Sequence, residues 1–273
     1  MSTTAVTAEL AATRTRPPRG PRLVSAELLK LRKRRGLVAS GLALTVLPMV
    51  IAYTVLLILH AANPAKHGPA GGLENLSGSM ELLTMLSIVA AILVGATLGA
   101  SDLSAGVFRE LVVTGRSRLA LFAARIPAGL ALVWMMVGTG FAVTATASSV
   151  FAGSREAPSA RLLVETAAWL ALVSALALVL ALGVSSALGS RGTTIGIVLG
   201  WQIVAMPLLI EIKTLGSLRE ALPGAATERL APAALFDGAP TLAMSLAATA
   251  LVIVTWAVLP LALGAWRTAT RDA

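Results

Sequence analysis

The side chains able to perform chemistry are few in this chain, and their types exclude most catalytic sites. No cysteine is present, which excludes disulfides, thiol catalysis and thiolate metal sites. The only two histidines are His60 and His67, which we interpret as solvated loop residues rather than metal ligands. A membrane enzyme would need a nucleophile, a base or a metal set, and neither clustered histidines nor a carboxylate pair supplies one. The sequence therefore predicts a non-catalytic chain that binds no metal and no cofactor.

Energy coupling also lacks an internal source. The chain has no G-x-x-x-x-G-K-[ST] phosphate loop, so it is not expected to hydrolyse ATP by itself. The predicted interiors of its long apolar stretches contain no Asp, Glu, Lys, Arg or His, whereas ion-coupled transporters place such groups near the membrane centre. Glu165 and Glu211 lie at the edges of these stretches, where we interpret them as interfacial carboxylates, with a gating or proton-relay role as the alternative. A partner is therefore expected to supply the energy.

The apolar stretches themselves indicate a membrane protein. Hydrophobic residues make up 56% of the chain, charged residues 13%, and the mean hydropathy is +0.84. Because backbone groups in lipid must pair within their own segment, we predict an all-α integral membrane protein with six transmembrane helices. Residues 1–22 are expected to form a disordered cytoplasmic arm and residues 23–273 a single transmembrane domain. The predicted spans are 37–59, 82–101, 126–151, 166–190, 192–210 and 238–266.

The distribution of basic residues predicts the orientation. An even number of spans places both termini on one side, and that side receives sixteen of the 22 Lys and Arg residues while the other receives six. The positive-inside rule then predicts that both termini are cytoplasmic. The net charge of +9 is explained by this bias and by anionic lipid, because the cations lie in loops beside spans and lack interleaved aromatic residues. Nucleic acid is therefore not an expected partner.

Two cytoplasmic segments have amphipathic patterns. In the first, Val24, Leu28 and Leu31 recur at helical spacing with Glu27 and Lys30 on other faces, which predicts an interfacial helix. The alternative is that the basic residues are only a cluster of positive charges beside the first membrane span. The second, 102–118, lies between spans two and three. Its apolar residues repeat every four positions before a break at residues 114 and 115, so it is expected to rest on the bilayer or in a groove of a partner.

These same segments resemble the membrane-spanning permeases of ABC exporters of the ABC-2 type. The arm "LVSAELLKLRKRRGLVASGLALTVLP" is similar to the first segment of that family, with Glu27 before a Lys-Leu-Arg run and Pro48 in the first span. The loop "SDLSAGVFRELVVTGRSRLALFAARI" is similar to the family's coupling loop between spans two and three. Its matching positions are Asp102, Ser104, Gly106, Leu111, Val112, Ser117, Arg118 and Arg125.

The resemblance implies an elbow helix at the N-terminus, short extracytoplasmic helices between spans five and six, and a place in the plasma membrane. It also implies two kinds of protein partner: a second permease copy, identical or not, and cytoplasmic ATP-binding subunits that bring ATP and Mg. The residues expected to contact those ATPase subunits are Glu27, Lys30, Asp102, Gly106, Phe108, Arg109, Glu110, Leu111, Arg116, Ser117 and Arg118.

The predicted function is therefore export of a hydrophobic or amphipathic substrate, such as a drug, peptide or lipid, through a permease driven by a separate ATPase. The alternatives are a stand-alone secondary transporter and a non-transporting regulatory membrane protein. Mild polar residues inside the spans, Thr139, Thr144 and Gln202, are candidates for the pathway or for interhelical hydrogen bonds.

Glycines repeat every fourth residue in two of the predicted spans. Gly95 with Gly99, and the triad Gly192, Gly196 and Gly200, predict close helix packing. The sequence leaves open whether each face packs within one subunit or against a second permease. The outward segment 213–240 is expected to form short helices at the outer interface.

Overall fold

A computed structural model describes residues 20–104, 117–236 and 242–270 of the chain. Within these ranges the regular structure is helical without strands, and six helices are long and apolar enough to cross a membrane, so the prediction of an all-α multi-pass membrane protein is confirmed. The long helices are α1 Gly20–Lys33, α2 Arg35–Ala62, α3 Leu73–Ser104, α4 Arg118–Val150, α5 Ala160–Leu188, α6 Arg191–Glu211 and, after the short α7 Pro223–Arg229, α8 Leu246–Thr270.

The core of the bundle lies between α3, α4 and α5. In their most apolar windows 61%, 56% and 50% of the residues are buried, against 17%, 11% and 6% in α2, α6 and α8. The closest association is between α3 and α5. A Cβ atom added to Gly95 would lie 2.5 Å from the carbonyl oxygen of Leu178, and one on Gly99 would lie 2.6 Å from Cβ of Ser185. The Gly95 and Gly99 face therefore packs within the subunit.

Helix α8 joins this core through another contact between small residues. A Cβ on Gly183 of α5 would overlap the carbonyl group of Pro260, and one on Gly264 would lie 2.9 Å from the carbonyl oxygen of Gly183. The two backbones approach this closely because neither glycine carries a side chain. Pro260 and Gly264 are among the few buried residues of α8, so this crossing is the main attachment of an otherwise exposed helix.

Several helices begin at positions other than the starts of the predicted spans, most clearly α3, α4 and α8. Helix α3 begins at Leu73 rather than 82, α4 at Arg118 rather than 126, and α8 at Leu246 rather than 238. The hydropathy pattern marks only the part of a helix that needs apolar side chains, whereas the 32 residues of α3 extend about 48 Å, well beyond a hydrocarbon core of about 30 Å. As a consequence Glu81 and Arg125 lie inside long helices, each one residue before the start of a predicted span.

A tight reversal joins the fourth and fifth spans. Helix α5 ends at Leu188, and its C-cap Gly189 has a φ of 75°, the left-handed conformation that glycine adopts without strain. Ser190 then caps α6, because its side chain accepts a hydrogen bond from the backbone N–H of Thr193 at 3.4 Å. Two residues thus separate two antiparallel helices.

Candidate functional site

The N-terminal helix α1 packs on the first turns of α4, near the start of that helix. Leu23 and Leu31 are buried, and Leu23 packs with Leu121 and Ala124 of α4. Glu27 occupies the same face and is only 6% exposed, so the prediction that it points away from the apolar face was wrong. Its Oε1 accepts from Nζ of Lys30 at 2.7 Å, which offsets the cost of burying the carboxylate.

The described residues on either side of the predicted coupling loop are the last turn of α3 and the first turn of α4. Asp102 lies in the last turn of α3. Ser117 caps α4 by accepting from the backbone N–H of Ala120 at 3.4 Å, and Arg118 donates from Nη1 to the carbonyl oxygen of Ala269 at 3.3 Å. This last bond ties the start of α4 to the end of α8. The remaining predicted coupling residues lie outside the described residues: Gly106, Phe108, Arg109, Glu110, Leu111 and Arg116.

The two threonines predicted for the pathway form hydrogen bonds within their own helix. Thr139 and Thr144 donate to the carbonyl oxygens of Met135 at 2.7 Å and Gly140 at 3.0 Å, both in their own helix, so neither hydroxyl joins two helices. Helix-to-helix bonds come instead from residues that the prediction missed. Thr45 donates to the carbonyl oxygen of Met136 at 3.0 Å.

A second bond of this kind fastens α5 to α3. Ser185 donates to the carbonyl oxygen of Ala96 at 2.7 Å, beside the Gly99 contact. Spacing along one helix does not reveal such bonds, because the acceptor belongs to another helix.

The glycine triad of α6 behaves differently from the glycines of α3. A Cβ on Gly192, Gly196 or Gly200 would meet no atom of the described chain within 4 Å. Ile197 and Val204, on the same helix, are 54% and 55% exposed. The triad therefore contributes nothing to packing inside the described subunit.

Further along α6, Gln202 lies in a widened turn. Residues Gly200–Ala205 form π-helix, with the N–H of Met206 bonded to the carbonyl oxygen of Trp201. The Trp201 ring stacks on Trp256 of α8 at a centroid distance of 5.5 Å and an interplanar angle of 20°. Next to this pair lies a cavity of about 20 Å³ that Gln202 lines together with Leu176, Leu180, Pro223 and Trp256. This grouping joins four elements of the bundle, and of its members the sequence indicated only Gln202.

The segment after α6 folds back against the bundle. Two 3-10 turns within Lys213–Ala221 meet at Gly216, whose φ is 54°, and α7 follows, with Ala225 and Ala226 buried. Two indole groups fasten this segment. Trp169 of α5 donates from Nε1 to the carbonyl oxygen of Thr227, and Trp256 to that of Ala221, both at 2.8 Å. We call residues 213–229 the outer segment.

A larger cavity of about 530 Å³ opens beside the start of α3 and was not predicted from sequence. Glu74, Ser77 and Glu81 recur along one side of α3 and line it, together with Arg155 and Glu156 from the connection between α4 and α5. Nη2 of Arg155 lies 3.3 Å from Oε2 of Glu74, and that carboxylate is exposed. The cavity is thus a polar, solvent-facing recess at the end of the bundle opposite to α1.

Among the described residues, no group of three or more His, Asp or Glu side chains could hold a metal ion. His60 was expected in a loop but lies in the last turn of α2, where its Nδ1 is 2.7 Å from the carbonyl oxygen of His67. The sequence matches no protein-family model, and the search of curated proteins gives no match.

Proposed function

We propose that this chain is the permease subunit of an ATP-driven exporter of the ABC-2 type. It forms the pathway for a hydrophobic or amphipathic substrate in the plasma membrane, with both termini in the cytoplasm. A second permease copy completes the pathway, and a separate ATP-binding subunit supplies the ATP and Mg chemistry. In this assignment α1 is the elbow helix, residues 102–118 are the coupling loop, and the outer segment covers the exit.

The observation that carries the proposal is that α1 packs on the helix that follows the coupling loop. The loop joins α3 to α4 in the sequence, and α1 packs on the first turns of α4. Helices α3 and α4 are the two most buried spans. A force applied at this end of the bundle is therefore transmitted to the core rather than to a peripheral helix, which is what a mechanically driven permease requires.

A groove on the exposed side of α4 supports an apolar substrate. It has a volume of about 260 Å³ and lies between α4 and α5, with Trp134, Gly138 and Phe141 on one side and Ala167 and Ala171 on the other. The Trp134 indole already donates to the carbonyl oxygen of Ala171 at 3.1 Å. The groove therefore offers an apolar surface at membrane depth, suited to a molecule that arrives from the lipid.

The proposal predicts that a reading frame next to this gene encodes a protein with a phosphate loop, and the docking of the ATPase is tested with that protein. Co-expressed and purified through a tag on the permease, the two proteins are expected to co-elute, and Leu111→Asp is expected to abolish co-elution by placing a charge on the apolar face of the loop. Leu218→Asp is the matched control, because Leu218 is 69% exposed and lies in the outer segment. Unchanged recovery with Leu111→Asp would contradict the coupling role.

Transport by the chain alone separates the proposal from the alternatives. Reconstituted in vesicles without an ATPase, the permease is expected to build up no substrate gradient, with or without a proton or sodium gradient. Sustained uphill uptake under an ion gradient would favour a secondary transporter. A complex that forms but never transports would favour the regulatory membrane protein.

A further inference from the structure

The π-helical turn of α6 has a local cause in the sequence. Pro207 lacks an N–H, and in a regular helix its ring would crowd the carbonyl group of Ile203. The widened turn immediately before it relieves this crowding, and Gly200 allows the turn to begin without a side chain. Such turns recur at functional positions because they aim side chains in directions that a regular helix does not offer.

Two polar atoms in this turn are buried without a partner. Within the described part of the chain, Nε1 of Trp201 and Oε1 of Gln202 make no hydrogen bond. The neighbouring Trp256 differs, because its Nε1 donates to Ala221. An unsatisfied amide oxygen in a membrane interior costs free energy, so its retention points to a role in which a partner is supplied from outside the chain.

The position of Gln202 suits such a role. It is the twelfth of the 21 residues of α6, about 17 Å along the helix and therefore near the middle of the bilayer. The cavity beside it is otherwise lined by Leu176, Leu180, Pro223 and the Trp256 ring, so it combines one polar side chain with apolar walls. Its volume of about 20 Å³ has room for one water-sized group, which is the space that a single donor group needs beside the amide oxygen.

We propose that this turn is a substrate-binding site that recognises an apolar or aromatic molecule carrying one hydrogen-bond donor. The carboxamide oxygen of Gln202 accepts from the O–H or N–H of the substrate, while the leucines and the Trp256 ring contact its apolar part. The cavity admits only a small group in this conformation, since Pro223 of the outer segment forms one wall. Release of the outer segment from Trp256 would enlarge this binding site toward the proposed exit.

The proposal rests on the proposed export function and narrows its substrate class, so binding is measured without the ATPase. The purified permease in nanodiscs is titrated with 4-hexylphenol and with its methyl ether 4-hexylanisole, which differ in the O–H donor, and heats on empty nanodiscs are subtracted. One hydrogen bond predicts that the phenol binds the wild type about three- to tenfold more tightly than the ether. Equal affinities, or no binding of either compound, would overturn the proposal.

Two variants assign the preference to Gln202. Gln202→Met keeps the length of the side chain but removes the oxygen acceptor, and it is expected to reduce the ratio of affinities to about one. Ser186→Ala is the matched control, because Ser186 Oγ is another buried oxygen without a partner in the described chain and lies near the C-terminal end of α5, outside the lining of the cavity. It should retain the wild-type ratio. A ratio preserved in Gln202→Met would overturn the assignment, and the wild-type measurement stands even if that variant does not fold.

Addition of the ATPase then separates this inference from the function on which it rests. Donor-selective binding together with ATP hydrolysis that the phenol stimulates supports both. Donor-selective binding to a chain that recruits no ATPase would support the proposed binding site and contradict the proposed export function.

Discussion

The indole N–H of Trp256, in the middle of α8, donates to the carbonyl oxygen of Ala221 in the outer segment at 2.8 Å. The same ring stacks on Trp201 of α6. One side chain therefore connects a peripheral span, the π-helical turn and the segment that covers the proposed exit. Loss of the Trp256 side chain is therefore expected to affect the outer segment before the rest of the bundle.

Replacement of Trp256 by Phe is expected to loosen the outer segment. Phenylalanine keeps most of the ring surface but removes the donor, at a cost of about 1 kcal/mol, and leaves the carbonyl oxygen of Ala221 without this partner. Hydrogen–deuterium exchange in residues 213–229 should become faster. Trp134→Phe is the matched control, because Trp134 makes the same kind of bond to Ala171 between α4 and α5. Equal exchange in both variants would contradict the clamping role of Trp256.

A methyl group at Gly183 is expected to destabilise the bundle. The added Cβ of Gly183→Ala would overlap the backbone of Pro260, so α8 must move away from α5, at a cost of at least about 1–3 kcal/mol. Thermal unfolding in detergent should show a lower midpoint. Gly196→Ala adds the same methyl group where no described atom lies within 4 Å, and its midpoint should stay close to that of the wild type. Two equal midpoints would argue against the close crossing of α5 and α8.

The bond from Thr45 to Met136 is expected to contribute to the packing of α2 on α4. Thr45→Val keeps the shape of the side chain and removes the hydroxyl, which in membrane proteins costs about 0.6 kcal/mol on average. Thr139→Val makes the same change where the hydroxyl bonds only within its own helix, so it should cost less. The free energies of unfolding in mixed micelles test this order, and the reverse order would contradict it.

The absence of cysteine makes the orientation directly measurable. Single cysteines are placed at Thr193, which is exposed beside the reversal before α6, and at Ser217, which is exposed in the outer segment. A maleimide that cannot cross membranes is expected to label Ser217→Cys in intact cells and Thr193→Cys only after permeabilisation. The opposite pattern would invert the proposed topology and place both termini outside the cytoplasm.

The sequence by itself determined that the chain is a helical membrane protein and how many spans it has. Long uncharged runs leave a backbone no way to satisfy its amide groups in lipid except as helices, so the class followed from composition and run length alone. Local chemistry also determined the reversal at Gly189 and the cap at Ser117, because both depend on residues within a few positions. Where a helix extends beyond its apolar run, as α3 does toward Leu73, hydropathy alone does not mark the end of the helix.

Tertiary structure alone decided which residues meet. Glycine spacing is similar in α3 and α6, yet Gly95 and Gly99 touch α5 while Gly192, Gly196 and Gly200 touch nothing described, since contact depends on a second helix. Burial of Glu27 required α4 beside it. Gln202 acquired its cavity only because α5, α8 and the outer segment converge on the same turn. A periodic pattern defines the faces of one helix, but the partner of each face is set by packing among all of them.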